Sequence, residues 1–274
     1  MLKDITIGQH FPGDSVVHNT DPRLKILLVI AYIVVLFTVN NFVGLFLSVA
    51  LLAMLYTTAK IPLKVVLKSI KPIVPIVVFT AVLNLFFMTG KGEPLFSFWV
   101  LTIYPEGIRY AIFMSVRILT LIAGTSLLTY TTSPIVLTDA IERLLKPFAR
   151  LGMPVHELAM MMTIALRFIP TLIEETDKIM NAQKARGAML DSGKLKERIR
   201  AMAPVLIPLF ISAFRRAEEL AMAMECRCYR GGDGRTRLKV LRMQKTDWLV
   251  LAVCIVAFGL VWATRFLSVG VIFA

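Results

Sequence analysis

Between Ile26 and Ala59 the chain carries no charged side chain, and no other feature restricts its fold as strongly. A hydrocarbon core about 30 Å thick is crossed by about 20 apolar residues in a helix, because in lipid each backbone polar group must bond within its own helix. The run is too long for one such crossing. Asn40-Asn41 divides it, and Arg23, Lys25 and Lys60 bound it. The pattern predicts two helices, about 24–39 and about 42–58, joined by a tight turn.

Three more uncharged stretches follow. Pro72–Gly90 comes after Lys60, Lys64, Lys68 and Lys71, whose spacing of four, four and three puts a basic stripe on one face of a short helix. This reads as an interfacial segment leading into a span. Ile118–Thr138, with the segment before it, gives a fourth span of about 107–131 that carries Arg109 and Arg117. The fifth is Trp248–Thr264, behind Asp247.

Composition agrees: 57% of residues are apolar, 18% are charged and mean hydropathy is +0.73, against about 45–50% and about 25% in soluble domains. A soluble enzyme is excluded on these grounds. There is no G-x-x-x-x-G-K-[ST] loop, no G-x-S-x-G and no H-E-x-x-H, so no catalysis and no cofactor are expected. The first residues lack an apolar h-region, so no secretory leader is expected.

Lys and Arg close to span ends are retained in the cytoplasm. The N-terminal segment and residues 60–71 are basic, the 40–41 turn is uncharged, and residues 89–106 carry Lys91 against Glu93 and Glu106. The N-terminus and residues 60–71 are therefore placed inside, span four returns to the cytoplasm, and span five leaves the C-terminus outside. Residues 133–246, all cytoplasmic on this reading, hold 20 Lys/Arg against 12 Asp/Glu, a net +8 of the total +13.

The expected fold is all-α: a polytopic membrane protein with about five transmembrane helices and a cytoplasmic or interfacial domain of long helices. Residues 1–132 hold the N-terminal segment and helices one to four, residues 133–246 the long helices, and residues 247–274 the last span. In the middle part Ser133-Pro134 starts a helix that Gly152 and Pro154 end. A second helix runs from about Pro154 to Arg186, roughly 50 Å long. A third runs from about Gly193 to Arg227, bent at Pro204 and Pro208. The apolar stretches 158–173 and 201–214 are short for spans, Met-rich, and broken by Arg167 or by two prolines. They read as buried against protein or lying at the interface, rather than as an extra transmembrane hairpin.

The ends of these two helices repeat. An offset of 41 residues aligns Asp177, Ala182 and Arg186 with Glu218, Ala223 and Arg227. Each helix thus ends in a small-Arg-small triplet, Ala185-Arg186-Gly187 and Cys226-Arg227-Cys228. Simple capping accounts for this, since a guanidinium at a helix C-terminus meets the negative end of the dipole and reaches the last carbonyls. Small flanking residues also leave the Arg unshielded for an acidic groove on another surface. Two copies with matching flanks weigh towards docking.

His18-Asn-Thr-Asp-Pro-Arg-Leu-Lys25, Leu166-Arg-Phe-Ile-Pro170 and the two x-Arg-x triplets together resemble the transmembrane T component of energy-coupling factor (ECF) vitamin transporters. The likeness covers nearly the whole chain, and the second triplet varies in the small residues around its Arg. It implies a multi-pass cell-membrane protein with a cytoplasmic coupling domain. Arg186 and Arg227 would each dock on one of two ABC-type ATPase subunits, and the hydrophobic face of the coupling helices would carry a small membrane S component that captures the vitamin. The rival is a self-sufficient secondary transporter or channel, which places ionisable or broken-helix features near the bilayer centre in paired halves. Arg117 and Pro75 come closest to that, and Pro75 lies near a span end.

Other features have plain readings. Asp21-Pro22-Arg23 is a helix start with Asp as N-cap and Pro at the first position, an anchor rather than a site. Arg167, three residues before Pro170, is expected to pair with Glu157 or Glu174 or to snorkel. Cys226 and Cys228 fall short of the four ligands zinc wants, with only His10, His18 and His156 to add, so no metal is expected. The basic 227–245 stretch suits anionic lipid headgroups. Without an interleaved aromatic platform it does not suit nucleic acid.

Overall fold

The computed structural model describes residues 10–88, 96–98, 101–188, 195–232, 241 and 243–266. In chain order the elements are α1 (Val16–Asn19), α2 (Pro22–Thr38), α3 (Phe42–Thr58), α4 (Leu63–Ile70), α5 (Val74–Phe87), β1 (Phe96–Phe98), β2 (Leu101–Ile103), α6 (Pro105–Thr131), α7 (Pro134–Leu145), α8 (Val155–Ala185), α9 (Leu195–Cys226) and α10 (Lys245–Ala263). Short 3₁₀ turns follow α4, α7 and α10. Helix predominates as the uncharged runs require. The exception is the antiparallel β1–β2 pair, with Phe96 opposite Ile103. Contacts separate two compact units, one spanning Thr138–Lys239 and one formed by Gly8–Leu137 with Val240–Ala274.

Among the described residues, four helical runs are long and apolar enough to cross a membrane: Leu63–Phe87, Pro105–Thr131, Val155–Ala185 and Lys245–Phe266; Phe42–Thr58 is a shorter apolar helix. The third of these differs from the sequence reading. Residues 158–173 taken alone are short for a span, but α8 runs on without a break to Ala185, and the apolar half of this 31-residue helix reaches a mean hydropathy of 1.3, the lowest of the four.

In the unit of α1–α6 and α10, α6 is the hub, packed against α2, α3, α4 and α5, while α10 packs on α2 and α3. One apolar core joins Tyr56, Ala59, Ile61, Val66, Leu127 and Tyr130, and a second joins Val39, Leu45, Phe113 and Val261. The Tyr56 hydroxyl donates to the Ala123 carbonyl at 2.7 Å. Next to it, a Cβ on Gly124 would lie 2.5 Å from Tyr32 Cε1, so α2 and α6 approach over a residue with no side chain. Tyr32 borders an apolar cavity of about 80 Å³, and its buried hydroxyl has no hydrogen-bond partner among the described residues.

Polar side chains pin α2 at both ends. Asp21 caps the helix by accepting the Arg23 N–H at 2.9 Å, and its two carboxylate oxygens accept from Arg23 Nε at 3.2 Å and Nη2 at 2.8 Å. The fork geometry makes this a strong, directional pair. Asp247, 1% exposed, accepts the Asp21 N–H at 2.9 Å and the Gln244 N–H at 2.7 Å, and so closes the capping box of α10 while fastening that helix to the start of α2. Lys25, 7% exposed, donates to His18 O at 2.9 Å, Thr131 O at 3.1 Å and Thr132 Oγ1 at 3.1 Å, which uses all three ammonium protons. At the other end Asn41 Nδ2 donates to Thr264 O at 2.6 Å. There too Arg117 Nη2 donates to the carbonyl of Val39, the C-cap of α2, with the guanidinium 4.5 Å from the Phe113 ring centroid. A cation at that position meets the negative end of the helix dipole.

His18 closes the N-terminal turn. Its Nε2 donates to Phe11 O at 3.0 Å and its Nδ1 accepts from Ser15 Oγ at 2.7 Å, an arrangement that one neutral tautomer satisfies. Burial holds this imidazole below its ordinary pKa, against the raising effect of the Phe11 carbonyl.

Candidate functional site

The unit spanning Thr138–Lys239 is built on a hairpin of two long helices. Gln183 Nε2 donates to Pro204 O at 3.4 Å, Glu175 accepts from Arg216 Nη2 at 3.0 Å, and Met160 and Ile164 share a cavity with Leu220 and Met224. These pairs fix α8 and α9 as antiparallel. Ser212 also donates to the Glu175 carboxylate, so one acidic side chain of α8 holds two donors one turn apart on α9.

Antiparallel packing separates the two triplets. Arg227 lines a cavity of about 580 Å³ together with Met160, Met224, Cys228, Tyr229 and Arg230. Arg186 lies 26 residues along α8 from Met160, about 39 Å at about 1.5 Å per residue. The two Arg residues therefore stand at opposite ends of the hairpin.

The two ends are nonetheless built alike. At the first, Gly187 N–H donates to Lys184 O at 3.0 Å and Ala188 N–H to Gln183 O at 3.0 Å, with Gly187 at φ +87°. At the second, Cys228 N–H donates to Glu225 O at 2.8 Å and Tyr229 N–H to Met224 O at 3.0 Å, with Cys228 at φ +55°. Both are Schellman closures, in which the chain turns left-handed after the C-cap and its own N–H groups satisfy the last carbonyls. The 41-residue repeat is thus a repeat of conformation, with Arg at the C-cap each time. Arg186 and Arg227 are exposed. Neither side chain makes a hydrogen bond or ion pair among the described residues. Ala185, Cys226 and Cys228 are exposed as well, and the two cysteines are free thiols.

Asp21, Pro22 and Arg23 belong to the other compact unit, at the start of α2, where Pro22 takes the first helical position behind the Asp21 cap. Arg167 and Pro170 lie inside α8 on exposed positions. The expected pairing of Arg167 with Glu157 or Glu174 does not form among the described residues, where α8 pairs through Glu175 with Arg216 and through His156 with Glu142. Side-chain direction decides the difference, because Glu175 is turned towards α9 while Arg167 points outward. Residues 233–240 and 242 of the basic 227–245 stretch, and the expected helix start at Gly193, lie outside the described residues. Sequence reasoning did not find the Asp247 and Lys25 attachments. A local signal was present for Asp247, three residues after Gln244 at a helix start, as in a capping box.

Known proteins resemble the chain over almost its full length. Residues 13–238 match the CbiQ family, described as cobalt transport protein. A Clostridium kluyveri protein named energy-coupling factor transporter transmembrane protein EcfT is 55% identical over 267 residues, 96% of this chain and 99% of its own. Proteins of the same name from Ruminiclostridium cellulolyticum and Bacillus subtilis are 54% identical over 93% of this chain and 95% of their own, and 44% identical over 97% and 100%. With its apolar helices and doubled Arg ends, the chain belongs to this CbiQ family, as a transmembrane component of energy-coupling factor transporters.

Proposed function

We propose that the chain is the membrane-embedded coupling subunit of an ECF-type importer. It receives ATP-driven motion from two ABC-type ATPase subunits, docked at Arg186 and Arg227, and passes it to an S component that holds the vitamin. The observation that carries this reading is the pair of matching helix ends, each presenting an Arg whose side chain bonds nothing among the described residues. Backbone N–H groups already close both helices, so capping leaves the guanidinium groups unused. An acidic groove on each ATPase would use them.

The surplus of Lys and Arg in residues 133–246 supports a cytoplasmic position for this unit. Exposed Met161, Met162, Phe210, Ile211 and Phe214 on α8 and α9 offer the S component an apolar face that methionines can repack. ATP hydrolysis belongs to the ATPase chains and cargo choice to the S component. The chain itself is not a catalyst.

Each charged hydrogen bond in a partly desolvated groove contributes about 1.5–3 kcal/mol. Co-expression with the host's ATPase pair, followed by measurement of ATPase retention and of ATP-dependent uptake, tests the reading. Arg186→Ala or Arg227→Ala alone should weaken retention about ten- to hundredfold, and the double variant should lose it with membrane insertion intact. Full retention and uptake in the double variant would reduce both residues to surface cations and place ATPase docking elsewhere on the chain.

A further inference from the structure

We infer that the lysine face of α4 is a binding site for anionic phospholipid, with Lys60, Lys64, Lys68 and Lys71 on the phosphate headgroups and Leu63 and Leu67 against the acyl chains. The inference rests on the Leu63–Phe87 run as a membrane span and is independent of the docking role of Arg186 and Arg227.

The inner face of α4 is committed to its own unit. Val66 is buried in the core with Tyr130 and Leu127, and the Ser69 and Tyr130 hydroxyls bond to each other. The opposite face is unclaimed. At about 100° per residue, Lys64, Lys68 and Lys71 fall within one sector opposite Val66, with Leu63 and Leu67 beside it, while Lys60 precedes the helix at the close of α3. All four lysines are exposed, and none makes an ion pair or hydrogen bond among the described residues. Leu63 is 74% exposed and Leu67 63%. An apolar strip adjoining a cationic strip matches a lipid, which presents acyl chain and phosphate side by side.

Two further observations favour lipid over an internal or protein counterion. From Pro22 to Gly92 there is no Asp or Glu at all, and after Lys71 no charge occurs until Lys91. The four cations therefore sit where the chain passes from water into an apolar run, with no acidic side chain in that stretch of sequence to neutralise them. Secondly, α3 ends in the same kind of Schellman closure as α8 and α9: Lys60 N–H donates to Thr57 O at 3.1 Å and Ile61 N–H to Tyr56 O at 3.3 Å, with Lys60 at φ +55°. Glycine adopts that conformation freely and lysine does so at a cost. A lysine kept there points to a use for its charge outside the fold.

The test uses the full-length protein in detergent, titrated with phosphatidylglycerol or phosphatidylcholine, with bound lipid counted by native mass spectrometry and unfolding temperature recorded in parallel. The wild type should hold phosphatidylglycerol in preference to phosphatidylcholine and be thermally stabilised by it. Replacing the four lysines with Gln should lower phosphatidylglycerol affinity at least tenfold, replacing them with Arg should preserve it, and Lys64→Gln/Lys68→Gln should fall between. Any of three results would overturn the site: undiminished phosphatidylglycerol stabilisation in the Gln variant, equal stabilisation by phosphatidylcholine, or full competition by millimolar inorganic phosphate, which would mark a free-anion site. If the fourfold Gln variant fails to fold, the double variant and the Arg variant decide.

Discussion

Cys228 holds a left-handed position that glycine holds at the matching place in the repeat, Gly187. Cys228→Gly should therefore stabilise the full chain by about 0.5–1 kcal/mol and Gly187→Ala destabilise it by about 1 kcal/mol, both read from denaturant or thermal unfolding. Lys25→Met removes a buried cation and leaves the Thr131 carbonyl and Thr132 hydroxyl short of their donor, a loss of about 1–3 kcal/mol in the same assay. His18 carries a pH dependence. Its pKa is lowered in the fold, so its contribution is complete above the ordinary value of about 6.5 and is lost as pH falls from there through the lower folded value. Hydrogen-exchange protection at Val16–Thr20, taken relative to the intrinsic rate at each pH, should fall over that window in the wild type and hold constant in His18→Asn. Residues such as Arg186 and Arg227 were legible because the repeat is written in the chain. The Asp21–Asp247 bond was not, since 226 positions separate its partners and no local pattern encodes a contact at that distance.

At the scale of elements, the α2–α6 contact depends on Gly124 lying flush against Tyr32. Gly124→Val should cost about 1–3 kcal/mol by overpacking, whereas Tyr32→Phe, which removes an unpartnered buried hydroxyl, should be neutral or stabilising. Calorimetric or fluorescence melting of the two variants checks both signs. Helix boundaries along α2 and α3 could be read from the chain because charge, Asn and Pro punctuate a uniform apolar run. The β1–β2 pair escaped notice because two three-residue strands leave no usable period. The length of α8 was clear, but its membrane aptitude was not, because its apolar and polar halves are joined without a break and Pro170 is accommodated inside the helix.

For the whole molecule, the proposed coupling role separates attachment from transmission. On that proposal Arg186 and Arg227 are points of attachment, while Glu175, bonded to Ser212 and Arg216 near the midpoint between them, joins the two long helices. Glu175→Ala should leave ATPase retention unchanged and lower ATP-driven uptake several-fold, as measured side by side in the same membranes. Equal loss of both would place Glu175 in folding rather than in transmission. The helices share a connection next to Arg186 and have none next to Arg227. Mechanically this is a pair of tweezers riveted half-way, and the thiol-bearing tip, free of any joining loop, is the one that a push at the other end would spread.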